Sequence, residues 1–229
     1  MSEPPFEPPV NKLPPVLVLL FLAIAGIEAG LWLGEARVIG GPEAIGWRMT
    51  LVRDWGFSGE IFDAMLAQNR WPLEHVLRIV TYPFIHLSFT HSIFAMVMLL
   101  ALGNLVARAL GQGTFLAIFT VASIGGALVY ALLLDDPVWL VGAYPGVYGL
   151  VGGYSYVMWR SIGAQGGQQM QAFALIAMLM GLQLVWSVFG DVGNGWVAEL
   201  AGFGIGFGTC FALAPGALAR LKARMRARR

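Results

Sequence analysis

The chain has 229 residues, of which 58% are hydrophobic and only 12% charged, with a formal net charge of +1 and a mean hydropathy of +0.71. Soluble domains carry about a quarter charged residues, so this composition excludes a soluble globular protein and places the chain in a bilayer. A single cysteine, Cys210, rules out an intrachain disulfide and a thiolate metal cluster, and it is expected to pack as a small apolar residue.

The N-terminal segment 1–14 opens with an acidic, proline-rich run, Met1 to Pro9. It lacks the positive n-region of a secretory signal, so the first apolar run is expected to remain as a membrane anchor. Runs of about 20 apolar residues, the length needed to cross roughly 30 Å of hydrocarbon, occur at Pro15–Leu33, Phe84–Leu110, Thr114–Leu134, Ala143–Arg160, Ala172–Phe189 and Trp196–Ala214. Helices are expected because unpaired backbone groups are costly in lipid, and the runs are too long and too weakly alternating for barrel strands. The expectation is an all-α polytopic membrane protein, one domain of six transmembrane helices over residues 15–214.

Residues 35–80 separate the first two spans and contain Trp47, Trp55, Trp71, five arginines and six acids. A connection this long is expected to have structure of its own, lying at the extracytoplasmic interface with tryptophan and arginine at headgroup level. Within it, Ile61, Phe62, Met65 and Leu66 give Gly59–Gln68 the spacing of a short amphipathic helix. Residues 215–229 form a basic tail with Arg220, Lys222, Arg224, Arg226, Arg228 and Arg229. Together with Lys12, Arg108 and Arg160 they outnumber the five arginines on the opposite side, so the positive-inside rule puts both termini in the cytoplasm, in the plasma membrane or, in a bacterium, the inner membrane. The tail can also meet anionic lipid. Because the basic residues sit on membrane flanks, nucleic acid is not an expected partner.

Glycines punctuate the fourth and sixth spans, and small residues four apart let helices in lipid approach closely. Gly146, Gly149, Gly202 and Gly206 are therefore the expected packing positions between those two helices. Glu28 lies in the first span, where snorkelling toward interfacial water is the expected arrangement. No internal repeat of the kind that builds many transporters is evident.

Three segments carry a resemblance. Arg78-Ile79-Val80-Thr81 with His86, then His91 and Ala95, follow one pattern; Gly142-Ala143-Tyr144-Pro145 and Ala198-Glu199-Leu200-Ala201-Gly202 with Gly206 follow two more. From Arg78 to Phe207 the chain resembles the rhomboid intramembrane serine proteases, whose patterns run Arg-x-x-Thr, His-x-x-x-x-His-x-x-x-Asn, Gly-x-Ser-Gly and Ala-His-x-x-Gly-x-x-x-Gly. The resemblance implies a rhomboid-like six-helix bundle in which Tyr144 stands at the nucleophile, Glu199 at the general base, and His91 and Ala95 at the oxyanion positions. The 55-residue interval from Tyr144 to Glu199 is about what the family uses.

Serine proteolysis needs a hydroxyl activated by a base and donors aimed at the developing oxyanion, each worth about 3 kcal/mol. A tyrosine phenol fills the space of a scissile carbonyl, Glu199 has no serine to activate, and Ala95 offers no donor. Pro145 suits a helix start but removes a backbone N–H beside the former nucleophile. No catalytic residue is therefore assigned. Ser155 lies about three turns past Tyr144, too deep to share the site, and is expected to bond back to a helix carbonyl. His86 and His91 do not share a helix face or show paired zinc spacing, so neither a metal nor a cofactor is expected.

Glu199 is the residue most in need of explanation, since an acid inside a span marks a functional site by default. Its expected neighbours form a polar cluster of His91, Tyr144 and Tyr148. Three readings stand: a neutral carboxyl bonded to a tyrosine or histidine and locking the second, fourth and sixth spans; a polar contact for a partner's membrane segment; or a proton-handling group. For the whole protein, the expected function is that of a catalytically inactive rhomboid-like protein that binds transmembrane segments as an adaptor, assembly factor or stability regulator; the alternatives are an active intramembrane serine protease using other residues and a proton or solute pathway through the Glu199 cluster.

Overall fold

The computed structural model describes residues 12–189 and 193–213. The acidic stretch at residues 1–11 and the basic tail 215–229 lie outside the described residues. Among those described, nine α-helices form the chain: α1 Pro15–Glu35, α2 Trp47–Trp55, α3 Gly59–Gln68, α4 Leu73–Thr81, α5 Phe89–Leu110, α6 Gln112–Leu133, α7 Tyr144–Ala164, α8 Ala174–Phe189 and α9 Gly195–Leu213.

Four of them, α1, α5, α6 and α9, are both long and apolar enough to cross a membrane. The second expected span starts later than the apolar run suggests. Tyr82–Phe84 form a 3-10 turn, Ile85 is extended, and Ser88 caps α5 by accepting a hydrogen bond from the His91 N–H at 3.1 Å. Likewise the fifth run divides into a 3-10 turn at Gln169–Phe173 and the 16-residue α8. The 21-residue α7 is diluted by glycine and tyrosine, yet its run from Pro145 to Gly153 is buried throughout. That helix is the centre of the bundle, with α5, α6 and α9 packed around it.

The connection after α1 folds into a cap built from a 3-10 turn at Gly41–Gly46 and helices α2, α3 and α4. The expected amphipathic helix is α3, held at its start by Ser58, whose hydroxyl accepts from the Ile61 N–H. Phe57 pairs with Leu140 in an isolated antiparallel bridge, with both backbone hydrogen bonds made at 3.0 and 2.8 Å. Phe57, Phe62 and Met65 then pack with Tyr82, Tyr130 and Leu140 beneath the cap.

Glu28 corrects the sequence expectation: it does not snorkel, being only 2% exposed. Arg48 of α2 reaches down to it with both terminal nitrogens, at 2.8 and 3.1 Å, and also donates to Glu35 at 2.7 Å and to the His86 carbonyl at 2.8 Å. A bidentate guanidinium neutralises the acid where water would otherwise have to be reached. The Glu28 hydrogen bond in turn drives the Arg48 pKa further above its already high range.

Candidate functional site

The first turn of α7 sits where the cap, α5 and α9 converge. Gly142 precedes it at φ +98°, and a Cβ there would come within 2.9 Å of the His91 ring. Only glycine meets both demands. Its N–H donates to the Tyr82 carbonyl at 3.0 Å. The next N–H, that of Ala143, donates to His86 Nε2 at 3.3 Å, so one of the backbone donors beside Tyr144 is already committed.

Tyr144 lies flat against His91, with ring centroids 4.8 Å apart and planes 12° from parallel. Its hydroxyl donates to the His91 carbonyl at 3.1 Å. His91 in turn accepts from the Leu87 N–H through Nδ1 and stands edge-on to His86 at 5.3 Å. Ala95, one turn further along α5, is fully buried in the core with its methyl group. The phenol and imidazole thus stack on each other, and the Tyr144 hydroxyl is committed to the His91 carbonyl.

Glu199 is half-buried on α9. Tyr144 and Tyr148 both face it, so the structure gathers His91, Tyr144, Tyr148 and Glu199 around one end of α7. The Tyr148 hydroxyl of α7 bonds to its carboxyl, as the tyrosine reading expects, and a second donor is one the sequence did not reveal: the Gln183 amide of α8, through Nε2. The lock therefore runs to the fourth span through Tyr148 and, beyond the expectation, to α8 through Gln183. Gln183 is a single polar residue in the apolar stretch Gly181-Leu182-Gln183-Leu184-Val185, and no motif marks it. The other oxygen of that amide, Oε1, is buried and accepts no hydrogen bond.

The glycine positions divide between two interfaces. Gly202 and Gly206 abut α7 so closely that a Cβ on either would overlap backbone, that of Pro145 for Gly202 and that of Gly149 for Gly206. Gly152 meets the Phe203 carbonyl in the same way and extends the seam. Gly146 instead faces Ser123 and Phe119 of α6, and Gly149 also touches Ala122 there. Ser155 corrects a second expectation: its hydroxyl is buried with no hydrogen-bond partner and does not bond back to a helix carbonyl.

Arg78 is anchored near the start of α7. Its guanidinium donates to the carbonyls of Arg53 and Gly56 at 2.5 and 3.2 Å and lies over the Trp139 ring at 5.3 Å. In this way one cation ties α4 to the end of α2 and to the loop before Tyr144.

Apolar helices of membrane-crossing length, packed around a buried glycine-rich α7, define a multi-pass integral membrane protein in contact with the lipid bilayer. The model of the Rhomboid domain matches residues 73–216, and the chain belongs to the rhomboid family. No curated protein matches it.

Proposed function

We propose that this rhomboid-family protein has no proteolytic activity and binds transmembrane segments of other membrane proteins, acting as an adaptor, assembly factor or stability regulator. The observation that carries this reading is the Tyr144–His91 pair. A stacked phenol whose hydroxyl is spent on the His91 carbonyl stands at the position the family resemblance gives to the nucleophile, opposite a carboxyl already bonded to Gln183. Acyl transfer requires a free nucleophile within reach of its base, and that arrangement supplies neither. What is left is a helix-packing framework with a polar, half-open site at one end.

The bundle in this proposal crosses the bilayer six times, with α7 and α8 as the further spans and both termini cytoplasmic. At about 1.5 Å per residue, the 21 residues of α7 reach roughly 31 Å. A helix buried on nearly all sides needs less hydrophobicity than one facing lipid.

Two measurements test the reading. Purified protein in liposomes is expected to leave model transmembrane substrates intact and to resist fluorophosphonate labelling; cleavage or labelling ends the proposal. A photoactivatable residue at Trp139 is expected to capture one membrane protein recurrently in native membranes.

A further inference from the structure

The two halves of the site differ in the charge they hold: neutral rings and amides on one side, an acid without a basic partner among the described residues on the other. Around His91, the Tyr144 hydroxyl, the Ala143 N–H and the Leu87 N–H all have acceptors. At α8 and α9 an acid takes hydrogen bonds only from neutral groups, the Tyr148 hydroxyl and the Gln183 amide. Gln183 gives its amide N–H to Glu199 while its own Oε1 is left without a donor. Among the described residues Glu199 has no ion pair with a basic group. A buried acceptor lacking a donor is costly, and an acid within a span calls for a counter-charge or a polar neighbour.

The surroundings leave this pair approachable from the side. Helix α8 is the loosest of the long helices, with Met178, Leu182, Leu184 and Val185 all more than half exposed. On α9, Trp196 and Leu200 are exposed beside Glu199, on the helix face set by the three- and four-residue spacing. An apolar rim thus surrounds an acid that has no basic partner and an amide oxygen that has no donor among the described residues. Glu199 is the fifth residue of α9, about 6 Å below its start, so the oxygens lie inside the bilayer near the end that carries the cap.

We propose that Glu199 and Gln183 together receive a lysine or arginine carried within the transmembrane helix of a partner. The inference rests on the reading that this protein binds membrane helices, and it names which ones. A lysine ammonium brings three donors and an arginine guanidinium five, and either brings the charge that Glu199 lacks. The partner gains as much, since a basic residue inside a span is disfavoured unless paired. A leucine-rich helix without such a residue offers the apolar rim its match but leaves both oxygens as they are. A helix bearing glutamate adds a like charge.

The test uses the full chain in phosphatidylcholine liposomes with fluorescent single-span leucine–alanine peptides, identical except for lysine, glutamine, glutamate or leucine about one turn inside the end that meets the cap side. Association is read by energy transfer from a donor on the protein. The lysine peptide is expected to bind about tenfold or more tightly than the leucine peptide, with glutamine between them and glutamate weakest. Glu199→Gln should reduce the lysine peptide to the level of the glutamine peptide while leaving leucine-peptide binding unchanged, and Gln183→Leu should cost about threefold. Glu199→Lys, checked for intact helicity, should reverse the order in favour of glutamate. Equal binding of all four peptides, or a lysine preference that survives Glu199→Gln, overturns the basic-residue inference while leaving helix binding standing. Binding of none of them overturns both.

Discussion

Glu28 and Glu199 both lie inside apolar helices, away from the helix ends, and their surroundings are opposite. Glu28 is sealed under the cap, with both oxygens held by Arg48 and the same guanidinium fixed to Glu35 and to the His86 carbonyl. Glu199 is half-buried and takes its hydrogen bonds from neutral groups, the Tyr148 hydroxyl and an amide on the least-packed long helix. The first acid is complete within the chain and works as a structural joint between α1, α2 and the loop before α5. The second has no basic partner among the described residues. Position within a span therefore does not by itself make an acid functional; what matters is whether the fold supplies its partner.

The contrast can be broken most severely at Arg48. Arg48→Met strands the Glu28 carboxylate among apolar side chains, and unfolding in mild detergent micelles should show a loss of about 3–5 kcal/mol. The double variant Glu28→Leu with Arg48→Met should recover most of it, because removing both charges removes the unpaired one. Next in size is the seam beside Glu199. Gly206→Val would drive side-chain atoms into the Gly149 backbone, and the resulting separation of α7 and α9 should cost about 1–3 kcal/mol by the same measurement. Glu199→Leu should then be nearly silent, within about 1 kcal/mol in either direction, since hydrogen bonds between membrane helices each contribute little. A Glu199→Leu loss as large as that of Arg48→Met would erase the distinction between the two acids.

The smallest effect concerns Asp136, in the loop between α6 and α7. Hydrogen bonds from the Val138 N–H at 2.9 Å and the Asn194 amide at 2.7 Å hold its carboxyl, and the Val138 bond is the main cause of a pKa below the usual carboxylate value. A depressed folded-state pKa contributes stability above the unfolded value of about 3.9, and that contribution is lost as pH falls through the lower folded value. Unfolding midpoints taken from neutral pH down to about pH 2.5 should fall by an amount worth no more than about 1 kcal/mol below pH 4. Asp136→Asn should lose that part of the slope.

Much of the fold was legible because hydrocarbon allows so few solutions: apolar length and glycine spacing located the long helices and the α7–α9 seam. The amphipathic spacing of Gly59–Gln68 located α3 for the same kind of reason. What composition could not resolve was where a long apolar run is interrupted, as at Ile85–Leu87 and again before α8, since caps and turns there depend on a few polar atoms. At the site, local motif and spacing sufficed to single out Tyr144, His91 and Glu199. Gln183 stayed hidden because it is 16 residues from Glu199 in an unmarked apolar helix. Nothing in the sequence separates Arg48 from the other arginines of the long connection, because its partner stands 20 residues away across a turn whose path the sequence does not reveal.

The bridge between Phe57 and Leu140 joins the cap to the loop before α7, where Val52 also packs with Val141 and Trp139. Leu140 stands four residues before Tyr144 on a taut backbone whose next N–H groups are also pinned, Gly142 to Tyr82 and Ala143 to His86. Three successive anchors, Leu140 to Phe57, Gly142 to Tyr82 and Ala143 to His86, therefore fix where α7 begins.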